Sequence, residues 1–282
     1  MTLPLAVHLG CAALVAADLA ARSWRLRVLT ASAGYTLRPV EALRANLLAD
    51  AGAVLSPMRV GGEPARVAGL AATGMRMPAI VATIGWELVT AWPTLLGMGA
   101  ILAVVAAPEW IASTGPRLAE RVATSTSTLV LLGVVMVVAC IAANGLRRRI
   151  AVAMGGRIAE YAAPWRGMRR STLLTSVALS AVNVAARTAL LPVLAMGLAS
   201  PPAPEVVWLG SFALIYGQLI FPTPGGVGAV EFGLIGGAAG DLGGDLGVLL
   251  AWRWWATLLP ALLGLLAAWE LRGALRGLVR PR

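Results

Sequence analysis

The sequence contains no lysine, a single histidine and two cysteines among its 282 residues. Because a Walker-type phosphate loop needs a lysine, this absence excludes ATP-driven transport by the chain itself. His8 lies near the end of an apolar stretch, and neither paired carboxylates nor a Ser/His/Asp set can be placed, so the sequence predicts no enzymatic activity. Cys11 and Cys140 both lie in apolar runs, which predicts no disulfide, no metal site and no cofactor.

Charged residues are also scarce. Asp, Glu, Lys and Arg make up 13% of the sequence, whereas 59% is hydrophobic and the mean hydropathy is +0.80. These values indicate an integral membrane protein rather than a soluble domain. The net charge of +10 is due to arginine, in clusters that flank the apolar stretches. Such clusters are typical of topology signals and of contacts to anionic lipid head groups, and they do not indicate a nucleic-acid partner.

Apolar stretches long enough to cross a bilayer number about five. They cover residues 3–21, 78–107, 122–146, 171–199 and 246–270. The first stretch lacks the basic start and the small-residue cleavage site of a signal peptide, so we expect it to be retained. The basic residues between 22 and 27, together with Trp24, are assigned to the cytoplasmic side. Asp18 is expected near an interface, in a snorkelling or capping role.

The distribution of arginine predicts the orientation of the chain. Most of the 23 arginines fall on the cytoplasmic side if the N-terminus is outside and the C-terminus is in the cytoplasm. Arg117 and Arg121 then lie in an external loop over 108–121, and Arg187 and Arg253 lie inside the membrane. The sequence therefore predicts a multi-pass protein of the bacterial inner membrane.

Residues 221–231 interrupt an otherwise apolar region with two prolines and three glycines. A proline removes a backbone donor and clashes with the preceding turn, and a glycine weakens a helix by ~1 kcal/mol. Broken backbone at membrane depth is tolerated only where protein buries it or where it lines a wet cavity. The stretch therefore predicts a functional break between two half-helices, at 206–221 and 229–240.

A second break is predicted nearer the N-terminus. Residues 38–54 have a helical pattern, residues 56–63 interrupt it, and residues 64–75 form another short segment. Two interpretations are open: a helix pair lying on the cytoplasmic face, or a re-entrant hairpin that enters and leaves the membrane by that face.

The order of spans and breaks favours the hairpin. It outlines an inverted repeat within a single transmembrane domain, with 1–107 as one half, 171–282 as the other and 108–170 between them. The predicted fold is an all-α polytopic membrane protein with about five full transmembrane helices and two re-entrant half-helix hairpins.

The motif Pro222-x-Pro224-Gly225-Gly226-Val227-Gly228-x-x-Glu231 resembles the signature of the lysylphosphatidylglycerol synthase transmembrane family, whose members are often called flippase-like. The resemblance extends over residues 20–270 and departs from the family pattern at Pro64, which follows Glu63 in the first break. Further matches to the family are Asn46, Pro57, Arg59, Gly61, Arg66, Glu87 and Arg253.

The glycines of the second break are candidates for binding a lipid head group. Gly225, Gly226 and Gly228 let a head group approach the backbone, because no Cβ intervenes. The half-helix after the break starts with free N–H groups and a partial positive charge, which suits a phosphate. The alternative is that the glycines only permit tight helix packing, but Glu231 three residues further on favours the head-group interpretation.

Charged residues within the predicted spans are a second indication of a functional site. A central arginine costs at least about 2.5 kcal/mol to insert, so Arg187 and Arg253 should face a partner or water. Glu87 and Glu231 are the expected counter-charges and the candidates for proton or ion coupling. A structural ion pair is the alternative to a substrate role, and Glu231 is alternatively a cap for its own half-helix.

Arg59 and Arg66 lie in the first break, from which they would reach a phosphate on the cytoplasmic side or bind bulk lipid. The predicted substrate-binding set is Arg59, Arg66, Arg187, Gly225, Gly226, Gly228, Glu231 and Arg253.

The resemblance implies transbilayer transport of an anionic lipid through a polar cavity between the two breaks. Candidate substrates are an anionic or aminoacylated phospholipid, a polyprenyl phosphate and a hopanoid-type lipid. The expected partners are a membrane lipid with a phosphate head group and either a second copy of the chain or a membrane enzyme. The alternative function is that of a non-transporting, lipid-binding subunit that scaffolds a glycosyltransferase or a lipid-synthesis enzyme.

Overall fold

The computed structural model describes residues 3–124, 168–219, 223–242 and 246–279. Within these ranges the chain is helical and contains no strand apart from two isolated bridges. The helices are α1 (Leu5–Ser32), α2 (Pro39–Leu55), α3 (Gly62–Ala71), α4 (Met77–Thr124), α5 (Arg170–Ala195), α6 (Pro204–Gly217), α7 (Ala229–Ile235), α8 (Leu246–Arg253) and α9 (Leu259–Val279). A π-helical segment, Trp254–Leu258, joins α8 directly to α9. The all-α fold predicted from the sequence is confirmed for this part of the chain.

Helices long and apolar enough to cross a membrane match the predicted spans at four places. They are Leu5–Ser32, Met77–Ser113, Arg170–Ala195 and Leu246–Gly273. The span predicted over 122–146 falls almost entirely outside the described residues, as does most of the predicted link between the two halves. The protein is therefore a multi-pass membrane protein.

Helix α1 is longer than the sequence suggested. It continues to Ser32 because no proline or glycine interrupts residues 22–32. Arg22 and Arg25 are therefore parts of a packed helix and are only 5% and 4% exposed. The cluster is therefore not a set of free surface charges, and its assignment to the cytoplasmic side stays a prediction.

Helix α4 also runs further than predicted, to Thr124. It contains Pro93, Pro108 and Pro116, which membrane helices tolerate when neighbouring groups satisfy the freed backbone. The external loop predicted over 108–121 is therefore helical instead.

Small residues allow the helices to pack closely. Helix association within lipid depends on close contact more than on removal from water, which favours glycine at crossings. A Cβ on Gly264 of α9 would lie 2.0 Å from the carbonyl oxygen of Leu47 in α2, and one on Gly10 of α1 would lie 3.1 Å from Val193 of α5. These contacts fix α2 against α9 and α1 against α5.

The first broken segment is α2, a turn over residues 56–61, and α3. Most of α2 after its first turn is buried, and the helix packs against α1, α3 and α9. A helix lying on a membrane surface keeps a polar face in water, whereas the polar residues Asn46 and Asp50 of α2 are 0% and 4% exposed. Helix α2 is therefore packed among the other helices on its polar side as well. Pro64, the departure from the family pattern, falls in the first turn of α3, where its missing N–H has no intrahelical role.

The second broken segment consists of α6, α7 and the residues between them, of which 218–219 and 223–228 are described; residues 223–228 form its turn. Phe221 and Pro222 of the motif lie outside the described residues. The next residues repeat the backbone conformation of the first turn, because Met58 and Arg59 have φ values of 50° and 59° and Gly225 and Gly226 have φ values of 57° and 68°. The hydrogen bonds also correspond: Val60 N donates to Pro57 O and Val227 N donates to Pro224 O, both at 3.1 Å.

Candidate functional site

The turns of the two broken segments touch each other. Pro57 and Pro224 form an isolated antiparallel bridge, and Arg59 Nη1 donates to Gln218 Oε1 at 3.1 Å. Met58 and Arg59 adopt the left-handed conformation, which non-glycine residues rarely occupy and which is concentrated at functional sites. The contact between the turns is therefore a candidate functional site.

A cavity of about 90 Å³ lies beside this contact. It is lined by Arg59, Arg187, Leu190, Ile215, Tyr216, Gln218, Leu219 and Ala256. The polar groups come from the first turn, from α5 and from the end of α6, so the cavity depends on the two breaks meeting. The hydroxyl group of Tyr216 is buried and has no hydrogen-bond partner among the described residues. The cavity can therefore offer the guanidinium groups of Arg59 and Arg187 to an anion.

Arg187 reaches this cavity from a buried ionic group that joins α1, α2 and α5. Its Nε lies 3.5 Å from Asp18 Oδ2 and its Nη2 lies 3.7 Å from Asp50 Oδ1. Arg22 is held more tightly, at 3.0 Å from Asp18 and 2.8 Å from Asp50. Asn183 donates a further hydrogen bond to Asp18. Asp18 is thus a buried counter-charge at 3% exposure, and its predicted role at an interface was wrong.

Arg59 is the cation of the cavity without an ionic partner. No carboxylate of the described residues lies within salt-bridge distance of its guanidinium, and its hydrogen bond to Gln218 is to a neutral group. Arg59 is partly buried, and a partly buried charge without a counter-charge favours binding of an anion.

Glu87 occupies a second buried group, away from the cavity lining. It accepts a hydrogen bond from Arg25, and Arg66 Nη1 lies 2.6 Å from its Oε2. Arg25 also donates to Ser180 at 2.8 Å. Among the described residues Glu87 therefore neutralises the arginines of α1 and α3, and the expectation that it pairs with Arg187 or Arg253 was wrong.

Arg253 and Glu231 form a third group, which holds the second turn. Arg253 Nε donates to Glu231 Oε1 at 2.7 Å, while its Nη1 and Nη2 donate to the carbonyl groups of Gly225 and Gly226 at 2.8 and 3.1 Å. Glu231 Oε2 accepts a hydrogen bond from the backbone N–H of Gly228 at 2.7 Å. Glu231 is therefore both the expected partner of Arg253 and the cap of its own short helix, which was the alternative left open by the sequence.

The predicted residues are thus distributed over three places. The cavity contains Arg59 and Arg187, the second group contains Arg66 and Glu87, and the third contains Gly225, Gly226, Gly228, Glu231 and Arg253. No cluster of three His, Cys, Asp or Glu residues that could hold a metal ion occurs in the ranges that the structure covers.

Sequence reasoning missed Tyr216, Gln218 and Asp50. A repeated spacing could have pointed to the ionic group, since Asp18-x-x-x-Arg22 in α1 matches Asn183-x-x-x-Arg187 in α5. At this spacing both side chains of each pair lie on one helix face. No comparable local signal marks Tyr216 or Gln218.

Comparison with known proteins assigns the chain to a family. Residues 1–264 match the family model described as the lysylphosphatidylglycerol synthase TM region. Neither the curated proteins nor the solved structures contain a match to this chain.

Proposed function

We propose that this chain, which belongs to the lysylphosphatidylglycerol synthase transmembrane family, moves an anionic lipid across the bilayer through the cavity at the two turns. Membership of the family itself indicates a function connected with membrane lipids. In the proposal the head group enters the cavity while the acyl or prenyl tail stays in the surrounding lipid. The lipid is a phospholipid, a polyprenyl phosphate or a hopanoid-type lipid.

The observation that supports this proposal best is the position of Arg59. Its charge has no ionic partner in the described part of the chain, and it lines a cavity formed where the two breaks meet. Removing part of the hydration of a charge without supplying a partner is unfavourable. A phosphate bound between Arg59 and Arg187 would offset this cost with charge-assisted hydrogen bonds.

The correspondence between the halves supports a mechanism in which access alternates between the two membrane faces. Each half has an ion pair between its post-turn helix and the next span: Arg66–Glu87 in the first half and Glu231–Arg253 in the second, with the charges exchanged. In inverted repeats the substrate site lies between the halves, and one half moves against the other. The N-terminus is then outside the bacterial inner membrane and the C-terminus in the cytoplasm.

Reconstitution of the purified protein in liposomes with labelled lipids tests the proposal. Arg59→Gln should slow lipid movement at least about tenfold, since binding energies of about 1.4 kcal/mol per charge-assisted bond are lost. Arg38→Gln is the control, because Arg38 is an exposed arginine whose side chain is 78% accessible and pairs with Glu41. The hydrogen bond from Arg38 lowers the pKa of Glu41, but neither residue approaches the cavity lining.

The outcome that contradicts the proposal is equally specific. If the wild-type protein moves none of the labelled lipids, or if Arg59→Gln moves them as fast as Arg38→Gln, transport through this cavity is ruled out. Binding of lipid without movement would instead support the alternative of a lipid-binding subunit for a membrane enzyme.

A further inference from the structure

We infer that the cavity selects a head group with a single negative charge, a phosphodiester, over a phosphomonoester that carries nearly two. The inference rests on the proposed function in taking this cavity as the head-group site. It names the charge of the substrate, which separates phosphodiester lipids from lipids that end in a free phosphate.

The ionic group that reaches the cavity carries an excess positive charge. The ionic group that reaches the cavity contains three arginines, Arg22, Arg59 and Arg187, and two aspartates, Asp18 and Asp50. Its net charge is therefore one positive unit.

The other two groups have no excess charge. In the second group Arg25 and Arg66 face the buried Glu87, and Glu63, whose side chain is half exposed, lies 3.7 Å from Arg66. In the third group Arg253 is paired with Glu231. Among the described residues the uncompensated charge of these three groups thus lies at the cavity.

The excess charge is located at Arg59. Asp18 and Asp50 are both held by Arg22 at 3.0 and 2.8 Å, and Arg187 makes longer contacts to the same two carboxylates. Among the described residues, the hydrogen-bond partner of the Arg59 side chain is the neutral side chain of Gln218. An anion at Arg59 would therefore meet guanidinium donors that no carboxylate of the described residues occupies.

A head group whose charge does not match that of the cavity binds less favourably. A single negative charge neutralises the cavity, whereas a second would be left without a partner in surroundings of low dielectric constant. A phosphomonoester has a second pKa of about 6 and carries about −1.5 to −2 at pH 7. A lipid without a phosphate leaves Arg59 unpaired. The cavity should therefore bind the phosphodiester most strongly.

Competition between three lipids with identical acyl chains tests the inference. Phosphatidylglycerol, phosphatidic acid and diacylglycerol present about one, nearly two and no negative charges at pH 7.5. Native mass spectrometry of the full chain should show phosphatidylglycerol bound about tenfold more than either competitor, because a charge mismatch in a buried site is unfavourable. Equal occupancy by phosphatidylglycerol and phosphatidic acid, or a preference for phosphatidic acid, overturns the inference.

Charge-changing variants make the test sharper. Arg59→Gln brings the net charge of the cavity group to zero and should remove the preference for phosphatidylglycerol over diacylglycerol. Asp50→Asn brings it to two positive units and should shift the preference toward phosphatidic acid, with Asp18→Asn as a second variant of the same charge. Arg38→Gln should bind like the wild type. Variants are compared only if they elute as a single species in size-exclusion chromatography. If neither aspartate variant folds, the order in which the wild-type protein binds the three lipids tests the inference.

The results separate the inference from the proposed function. Selective binding of phosphatidylglycerol without movement in liposomes would refute transport and leave the charge selection standing. Movement that depends on Arg59 but occurs equally with phosphatidic acid would refute the charge selection and leave transport standing.

Discussion

Gly226→Ala should disturb the cavity through one side chain, that of Gln218. A Cβ at position 226 would lie 2.6 Å from Gln218 Cγ and 3.2 Å from both Gln218 Cβ and Val230 Cγ2. Real Cβ atoms do not approach a neighbour this closely, so Gln218 must move. Because Gln218 accepts the hydrogen bond from Arg59, its displacement also releases the guanidinium that faces the cavity.

The expected loss in the free energy of unfolding of Gly226→Ala has two contributions. Alanine in the left-handed conformation costs about 1–2 kcal/mol, and overpacking adds about 1–3 kcal/mol. We therefore expect Gly226→Ala to lower the free energy of unfolding by about 2–5 kcal/mol. Gly225→Ala is the matched control, since φ at residue 225 is 57° and its Cβ would lie 3.6 Å from Val54, which is an ordinary contact. This control should lose only about 1–2 kcal/mol.

Two measurements check this prediction. Thermal unfolding in detergent should place Gly226→Ala below Gly225→Ala, and lipid movement in liposomes should be slower for Gly226→Ala at a temperature where both are folded. If the two variants are equally stable and equally active, the steric link from residue 226 to Arg59 is refuted.

Two further predictions concern the frame that holds the site. Glu87→Gln should destabilise the protein by about 3–5 kcal/mol because it leaves the buried Arg25 without a counter-charge and Arg66 with only Glu63 at 3.7 Å. Glu41→Gln in the exposed pair should change stability by about 1 kcal/mol or less, and equal losses in thermal unfolding would contradict this. Gly264→Ala should destabilise the contact between α2 and α9 by forcing a Cβ against the carbonyl oxygen of Leu47 at 2.0 Å. Gly97→Ala in α4, where a Cβ would meet nothing within 4 Å, should be neutral or stabilising by about 1 kcal/mol, and similar melting temperatures for the two variants would refute the packing argument.

The breaks and most of the spans were predictable because their signals are local. Proline and glycine disrupt a helix through their own backbone geometry, so the motif around Pro224 locates a turn without knowledge of the fold. The extent of α1 was not predictable in the same way. Arginines at 22 and 25 are typical of a cytoplasmic boundary, and only the positions of Asp50 and Glu87 in neighbouring helices make their burial favourable.

The choice of ionic partners is the part that a sequence cannot supply. Arg253 lies 22 residues from Glu231 and Arg66 lies 21 residues from Glu87, and these pairings exist because the fold brings residues of the post-turn helix and of the next span together. The role of Tyr216 is likewise decided by what surrounds its hydroxyl group. Separation along the chain carries no information on such contacts.

The difference between the two turns supports the proposal that Arg59 of the first turn binds the head group. Both use two consecutive left-handed residues, but the second turn uses Gly225 and Gly226, for which this conformation is unstrained. The first turn uses Met58 and Arg59, at about 1–2 kcal/mol for each residue. Of these four residues only Arg59 lines the cavity. Glycine would relieve the strain in the first turn but would remove the guanidinium, so the strained conformation is explained if the charge of Arg59 is what the cavity requires.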